Sequence, residues 1–262
     1  MNILDRLIKK KIGLALGGGA ARGLAHIGVL KVIEEEGIKI DFVAGTSVGS
    51  LIGALFCAGF RWKEINELSG KTAWKDLVEP MLPGKGLLRL EKLENKLNKL
   101  VEGRNLEELD IPLSVVTADI TTGEEIILKE GPAARAVRAS SSIPGIFEPV
   151  MWEDRLLVDG GLVNNVPASV VREMGAELVI AVDLNADRIK NEPPRNIFDV
   201  IVYSFLILMT NFTQHAVKQA DYVIRPDLKG YSYYDLKKRN ELINLGEQAA
   251  RDVLARISEK IH

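Results

Sequence analysis

Short apolar runs rich in β-branched residues alternate along this chain with longer stretches of helical periodicity. IGLAL (12–16), IDFVA (40–44), LSVVTA (113–118), EIILK (125–129), RLLVD (155–159), LVIAVD (178–183) and YVIR (222–225) read as strands. Helical patterns occupy roughly 20–36, 47–58 and 236–259, the last an amphipathic closing helix. Alternation of this kind calls for crossover connections, and crossovers lay helices on both faces of a parallel sheet. The expected fold is α/β, a three-layer α/β/α sandwich with a mostly parallel central sheet, in one domain over residues 1–262.

Residues 61–110 break the rhythm. They carry Trp62, Trp74, a turn cluster over Pro80–Gly86 and then LLRLEKLENKLNKLV, where Leu90, Leu93, Leu97 and Leu100 recur at helical spacing. One reading is a helix with one face packed on the sheet; the other is a cap over an active site.

With 34 basic and 36 acidic side chains the net charge is −2, so nothing marks a nucleic-acid footprint and no such partner is expected. The single cysteine, Cys57, excludes an internal disulfide and fits a reducing compartment. Three histidines and that cysteine show no ligand-like clustering, so no metal is expected. The most apolar later stretch, IVYSFLILM (201–209), is about half the length of a bilayer crossing. The N-terminal MNILDRLIKKK lacks the order of a secretory leader. These features give a cytoplasmic protein and leave peripheral membrane contact and homo-oligomer formation open.

GTSVG (45–49) fits G-x-S-x-G. An apolar strand runs into it and the apolar helix VGSLIGALFCAG leaves it, the strand–turn–helix setting of a nucleophile elbow. Such a turn strains the backbone at Ser47, and Gly45 and Gly49 keep colliding side chains away. The hydroxyl then stands above a helix N-terminus, which favours developing negative charge. The competing reading makes Ser47 an N-cap.

The first strand runs into LGGGAARGLAHIGVL, where Gly17, Gly18 and Gly19 leave backbone N–H groups unobstructed at a helix start. A dinucleotide site would use Gly17, Gly19 and Gly23 for a pyrophosphate and would want an acid at the end of the second strand. Asp41 stands at that strand's beginning instead. An oxyanion hole needs only N–H donors, and this is the favoured reading. Arg22 either binds an anionic head group or anchors the loop.

A serine nucleophile needs a proton acceptor. His262 is terminal, His215 lies in a helical stretch without turn punctuation, and His26 follows the glycine loop by one helical turn. Asp119, Asp159 and Asp183 all end strand-like runs. Asp159 is followed by Gly160 and Gly161, a tight turn that holds a carboxylate at the strand's edge, with Asn164 and Asn165 just beyond. An exposed aspartate, with pKa about 3.9, is a feeble base at neutral pH; partial burial raises that value. The residue pattern does not choose between Asp159 and a distant histidine.

GGGAARG (17–23), GTSVG (45–49), SSSIPGIFEPV (140–150) and DGG (159–161), in that order, resemble the patatin-like phospholipases, in particular their small bacterial members, over about residues 11–225. The resemblance implies a modified α/β-hydrolase-like sandwich. It implies hydrolysis of acyl esters of phospholipids, lysophospholipids or neutral lipids by a serine–aspartate dyad, with no histidine, cofactor or metal. Ser47 would be the nucleophile and Asp159 the base. The N–H groups of Gly17, Gly18 and Gly19 would form the oxyanion hole, supported by Arg22, Gly23, Gly45, Gly49, Gly160 and Gly161. The plant form of the loop is G-G-G-x-R-G, whereas this chain has an additional alanine before Arg22. The expected function is that of a serine acyl-ester hydrolase of the phospholipase A or lysophospholipase kind. The apolar stretches 74–90 and 201–209 are candidates for an acyl channel. A nucleotide-binding module built on the 17–23 loop, and a regulatory protein that kept the fold without turnover, are the alternatives.

Overall fold

The computed structural model describes residues 10–82, 84–186, 193–194, 196–234 and 236–259. Its strands are β1 (Ile12–Leu16), β2 (Phe42–Thr46), β3 (Glu79–Pro80), β4 (Leu88–Arg89), β5 (Leu113–Asp119), β6 (Glu125–Leu128), β7 (Val150–Trp152), β8 (Arg155–Asp159), β9 (Leu178–Val182) and β10 (Tyr222–Ile224). Eight of them form one sheet in the order β10-β9-β1-β2-β5-β8-β7, with β6 also paired to β5; β3 and β4 make a separate hairpin. The run from β10 to β5 is parallel, and β6, β7 and β8 join antiparallel.

The helices are α1 (Ala25–Glu35), α2 (Val48–Cys57), α3 (Trp62–Gly70), α4 (Glu91–Leu100), α5 (Ala133–Ser140), α6 (Ala168–Glu173), α7 (Ile197–Ala216) and α8 (Arg239–Glu259). They cover both faces of the sheet, so the central strands are buried throughout and read as unbroken apolar runs. The two-residue pleat sorts their side chains. Leu14, Leu16, Val43, Val115, Ile180 and Val182 join the core formed with α1, α2, α5 and α8, while Ala15, Ala44, Val116, Val179 and Ala181 meet α6 on the other face. The small residues on that second face let α6 come close: a Cβ on Gly13 would stand 1.9 Å from Val171 Cγ1. The closing helix α8 locks onto α1 in the same way, with Gly28 against the Ile243 carbonyl and Gly246 against that of Ala25.

Several boundaries differ from the sequence reading. The helix expected over 20–36 is a 3-10 turn, Ala20–Leu24, followed by α1. β2 begins at Phe42 and continues through Thr46 into the turn. In the 61–110 region α3 packs against α1 and α2, and α4 packs against α5. The stretch 201–209 lies within α7, where Val202, Phe205, Leu206 and Met209 cluster with Ile146 and Tyr233, while Ile207 and Leu208 face outward. Among the described residues no helix is long and apolar enough to cross a membrane. Residues 1–9 of the segment read for a leader, and His262, lie outside the described residues.

Candidate active site

The register of β5 brings the site together. Val116 pairs with Thr46 of β2 and with Ile127 of β6; Thr117 pairs with Asp159 of β8 and with Ile126 of β6. Because β6 runs unbroken along one edge of β5, β2 and β8 must share the other edge, end to end. Their carboxyl ends therefore meet, and the residue after Thr46 is Ser47.

Ser47 lies between β2 and α2 with φ 53° and ψ −126°, a left-handed conformation that a β-carbon resists. Its side chain makes no capping hydrogen bond to α2, so the N-cap reading does not hold. The turn is braced from below: the Ser47 N–H donates to Ser140 Oγ at 2.8 Å, and the Ser140 hydroxyl donates to the Val116 carbonyl at 2.6 Å. The flanking glycines are points of close approach, since a Cβ on Gly49 would stand 2.0 Å from the Leu16 carbonyl oxygen and one on Gly45 2.6 Å from Ser50.

Asp159 is fully buried. Its N–H donates to the Ser142 carbonyl at 2.9 Å, and Oδ1 accepts the Gly161 N–H at 2.8 Å. Oδ2 accepts no hydrogen bond. Burial lifts the carboxyl pKa from 3.8 to about 7, against the downward pull of the Gly161 N–H and of the neighbouring Ser47 hydroxyl. Gly160 sits so close to the Val116 carbonyl oxygen that a Cβ would stand 2.3 Å from it, and Gly161 is packed on Met209.

The other acids and histidines are occupied elsewhere. Asp119 pairs with Arg155 at 3.3 Å and Asp183 approaches Arg225 at 3.6 Å. Asp41 accepts the Ile12 N–H, which ties the start of β2 to β1. His26 is fully buried, and Nε2 meets the Gly17 carbonyl at 2.8 Å while Nδ1 has no partner. Burial lowers its pKa to about 4, partly offset by that bond, so the ring is neutral and its proton is on Nε2. His215 lies on α7, far along the chain from the elbow.

The glycine loop crosses beside Ser47: a Cβ on Gly18 would stand 3.2 Å from that of Ser47. Two of its three expected donors are engaged. The Gly17 N–H donates to Val182 O and the Gly18 N–H to Asn165 O, each at 3.1 Å. An open three-amide phosphate cradle is therefore absent, and of the donors expected from Gly17, Gly18 and Gly19 only Gly19 lacks a protein acceptor among the described residues, as does the next residue, Ala20. The carbonyls fix this arrangement. Asn185 Nδ2 donates to Gly18 O at 2.7 Å, and in a trans peptide the Gly19 N–H then points the opposite way. Asn185 is held in turn by the Tyr233 hydroxyl at 2.9 Å.

Arg22 is the loop's anchor. Its buried guanidinium donates to the Tyr231 carbonyl at 3.0 and 3.1 Å and to the Tyr233 hydroxyl at 2.9 Å, and it stacks on the Tyr233 ring. Gly23 is packed on Val48, the first residue of α2. Asn164 and Asn165 complete the junction, their carbonyls accepting from the Thr46 hydroxyl and the Gly18 N–H. Ser140, Asn185 and Tyr233 were not singled out from the sequence. Ser140 belongs to the 140–150 block and could have been found there; Asn185 and Tyr233 have no local signal.

Ser47 opens onto an apolar cavity of about 190 Å³ lined by side chains of α2, the loop after α5 and the 61–110 region. That region supplies nearly half of the lining, including Ile65, Leu77, Leu93 and Leu97. The segment 74–90 lines the cavity through Trp74, Leu77 and Leu90, whereas no residue of 201–209 does.

These features define an α/β sandwich with a serine at a strained strand–helix turn and a buried carboxyl at the end of the strand that shares the same edge of β5. The chain belongs to the patatin-like phospholipase family, whose profile matches residues 14–172. It is 32% identical over 274 residues to the patatin-like phospholipase domain-containing protein ZK370.4 of Caenorhabditis elegans, covering 92% of this chain and 20% of that protein. It is 35% identical over 202 residues to lysophospholipase NTE1 of Mycosarcoma maydis, covering 75% and 11%. The chain thus spans a fifth or less of the length of either relative. Among solved structures, VipD from Legionella pneumophila superposes with a TM-score of 0.58 at 14% identity, covering 94% of this chain and 67% of that one, a likeness of fold.

Proposed function

We propose that the chain is a serine acyl-ester hydrolase acting on lipid esters, with Ser47 as nucleophile and Asp159 as general base. The observation that carries this reading is the fully buried Asp159 carboxyl, raised to a pKa of about 7 and bordered by the Ser47 hydroxyl. A base poised near the working pH combines a useful deprotonated fraction with proton affinity. Family membership and the relative named as a lysophospholipase support the substrate class.

In the first half-reaction Ser47 Oγ bonds to the ester carbonyl carbon while its proton passes to Asp159 Oδ2. The carbonyl electron pair moves to oxygen, and that oxyanion accepts from the N–H groups of Gly19 and Ala20 at the start of the 3-10 turn, with the α2 N-terminus adding its dipole. Collapse breaks the bond to the alcohol, which leaves with the proton from Asp159. Water then attacks the acyl-serine, giving its proton to Asp159, and the fatty acid departs as Ser47 is reprotonated. The apolar cavity holds the acyl chain.

A fluorophosphonate probe tests the reading directly. Wild-type protein is expected to be labelled at Ser47 and to hydrolyse a lysophospholipid. Ester turnover retained by Ser47→Ala, or labelling at another residue, overturns it.

A further inference from the structure

We propose, resting on the hydrolase reading, that Lys96 and Arg239 form an anion subsite where the acyl cavity adjoins a second hollow, and that it selects esters bearing a second, anionic end. Lys96 rises from α4 and lines the otherwise apolar cavity. Its ammonium donates to the Thr72 hydroxyl at 2.6 Å and has no carboxylate within ion-pair distance among the described residues. The acid nearest to it on the same helix, Glu94, is bound to Arg138 at 2.8 Å. Thr72 in turn donates to the Leu68 carbonyl, which leaves its oxygen as a neutral acceptor only.

Arg239 repeats the pattern from α8. It lines an adjoining hollow that shares Ser69, Thr72, Trp74 and Leu236 with the cavity. Its Nη1 donates to the Asn66 carbonyl and carboxamide oxygens at 2.7 and 2.8 Å, again with no carboxylate partner among the described residues. Two cations thus border one junction, each satisfied in part by neutral oxygens. Next to an apolar wall a positive charge is poorly screened, so an oxyanion arriving there gains more than it would at an open surface. Arg239 also offers a planar fork suited to a carboxylate or phosphate. An ester carbonyl at Ser47 and an oxyanion at Lys96 would then face the same cavity, joined either by the glycerol of a lysophospholipid or by the methylene chain of a dicarboxylic acyl ester. The oxyanion is either the phosphate of a lysophospholipid head group or the distal carboxylate of a dicarboxylic acyl chain.

The test compares matched esters: lauroyl lysophosphatidate against monolauroyl glycerol, and the p-nitrophenyl monoester of sebacic acid against p-nitrophenyl decanoate. The expected result is that Lys96→Met lowers the anionic-to-neutral ratio of kcat/KM in one pair by at least about tenfold, through KM, the low end for a charge-assisted hydrogen bond. The pair that responds identifies the source of the oxyanion, Lys96→Arg restores the ratio, and Arg239→Gln shifts it in the same direction as Lys96→Met. A ratio unchanged in both pairs overturns the subsite. Calorimetric binding of dodecyl phosphate and decanedioate, compared between wild type and Lys96→Met, judges the subsite independently of turnover. If Ser47→Ala retains hydrolysis, the nucleophile assignment falls, while equal affinities in the binding arm sink the anion subsite.

Discussion

Thr46 and Asp159 are consecutive rungs on one edge of β5, Thr46 opposite Val116 and Asp159 opposite Thr117. One strand arrives parallel and the other antiparallel, so each delivers its last residue to the same point from opposite directions. The separation of Ser47 from the carboxyl is set by a backbone ladder rather than by a flexible loop. Each half of the proposed dyad is further tied down, Ser47 through Ser140 and Asp159 through Gly161.

Strain at the elbow has a thermodynamic signature. A non-glycine residue held at φ 53°, ψ −126° costs about 1–3 kcal/mol, while glycine's extra unfolded-state entropy returns about 0.5–1 kcal/mol of that. Ser47→Gly is therefore expected to raise the thermal midpoint by a few degrees while eliminating ester turnover, and Ser47→Ala to eliminate turnover with a midpoint near wild type. Thermal denaturation followed by circular dichroism decides it; a glycine variant less stable than the alanine variant would contradict the strain.

Asp159→Asn is expected to lower kcat/KM by about 10²-fold or more, the low end for loss of a general base. In the wild type kcat/KM should rise with pH around an apparent pKa of about 7. The sign for stability is opposite. The folded carboxyl holds its proton up to about pH 7 and the unfolded one only to about 3.8, so stability falls as pH rises through that window. Removing the charge removes that loss, and Asp159→Asn should be more stable than wild type at pH 8, on the order of 2–4 kcal/mol, with little difference at pH 4. Equal midpoints at pH 8 would mean that the carboxyl is not held in a costly environment.

His26 titrates in the other sense. Its folded pKa of about 4 lies below the unfolded 6.5, so acidification from pH 6.5 to 4 protonates the unfolded chain first and destabilises the fold. In the wild type this partly cancels the Asp159 contribution over the same range, and in Asp159→Asn it should emerge as a midpoint that climbs between pH 4 and 6.5. His26→Ala should lose the support of the Gly17 carbonyl yet keep the pH-rate midpoint near 7. A fall in turnover as large as that of Asp159→Asn would instead bring the imidazole into the proton transfer.

Gly49→Ala would drive a methyl to 2.0 Å from the Leu16 carbonyl oxygen, where neither backbone can yield without moving β1 or α2. Destabilisation of several kcal/mol, or failure to accumulate as folded protein, is expected, in line with about 1–3 kcal/mol or more for forced overpacking. A soluble, stable variant would show that the elbow has room that the backbone geometry denies.

Cys57 is fully buried, and burial pushes its thiol pKa well above the ordinary value. Native protein should resist iodoacetamide and react once unfolded, so mass spectrometry across a denaturant series reports global opening. Modification in native buffer would count against a closed α2 layer.

The central strands were readable because parallel strands covered on both faces show up as continuous apolar runs, and β1, β5 and β9 stand out for that reason. The elbow was equally legible, since its glycines and serine are contiguous. The choice of Asp159 was not a local matter. Asp119 and Asp183 end strands just as well, and only the shared edge of β5 and the arginines beside the other two separate them. The same holds for the loop. Gly17 and Gly18 look unencumbered in sequence, and their amides are engaged by Val182 and Asn165, each about 150 residues or more away along the chain. α6 and β7 are too short to display a period, and the amphipathic stripe of α4 names an apolar face without naming its partner.

The exposed turn at Thr121–Glu124 separates the polypeptide into a portion that carries β2, Ser47 and β5, and a portion that begins with β6 and carries β8 and Asp159. A chain cut there yields two fragments that hold one member of the proposed dyad each, and β5, the shared template, travels with the first. Turnover would then report reassembly of the two pieces, which turns this sheet into a natural framework for a complementation sensor.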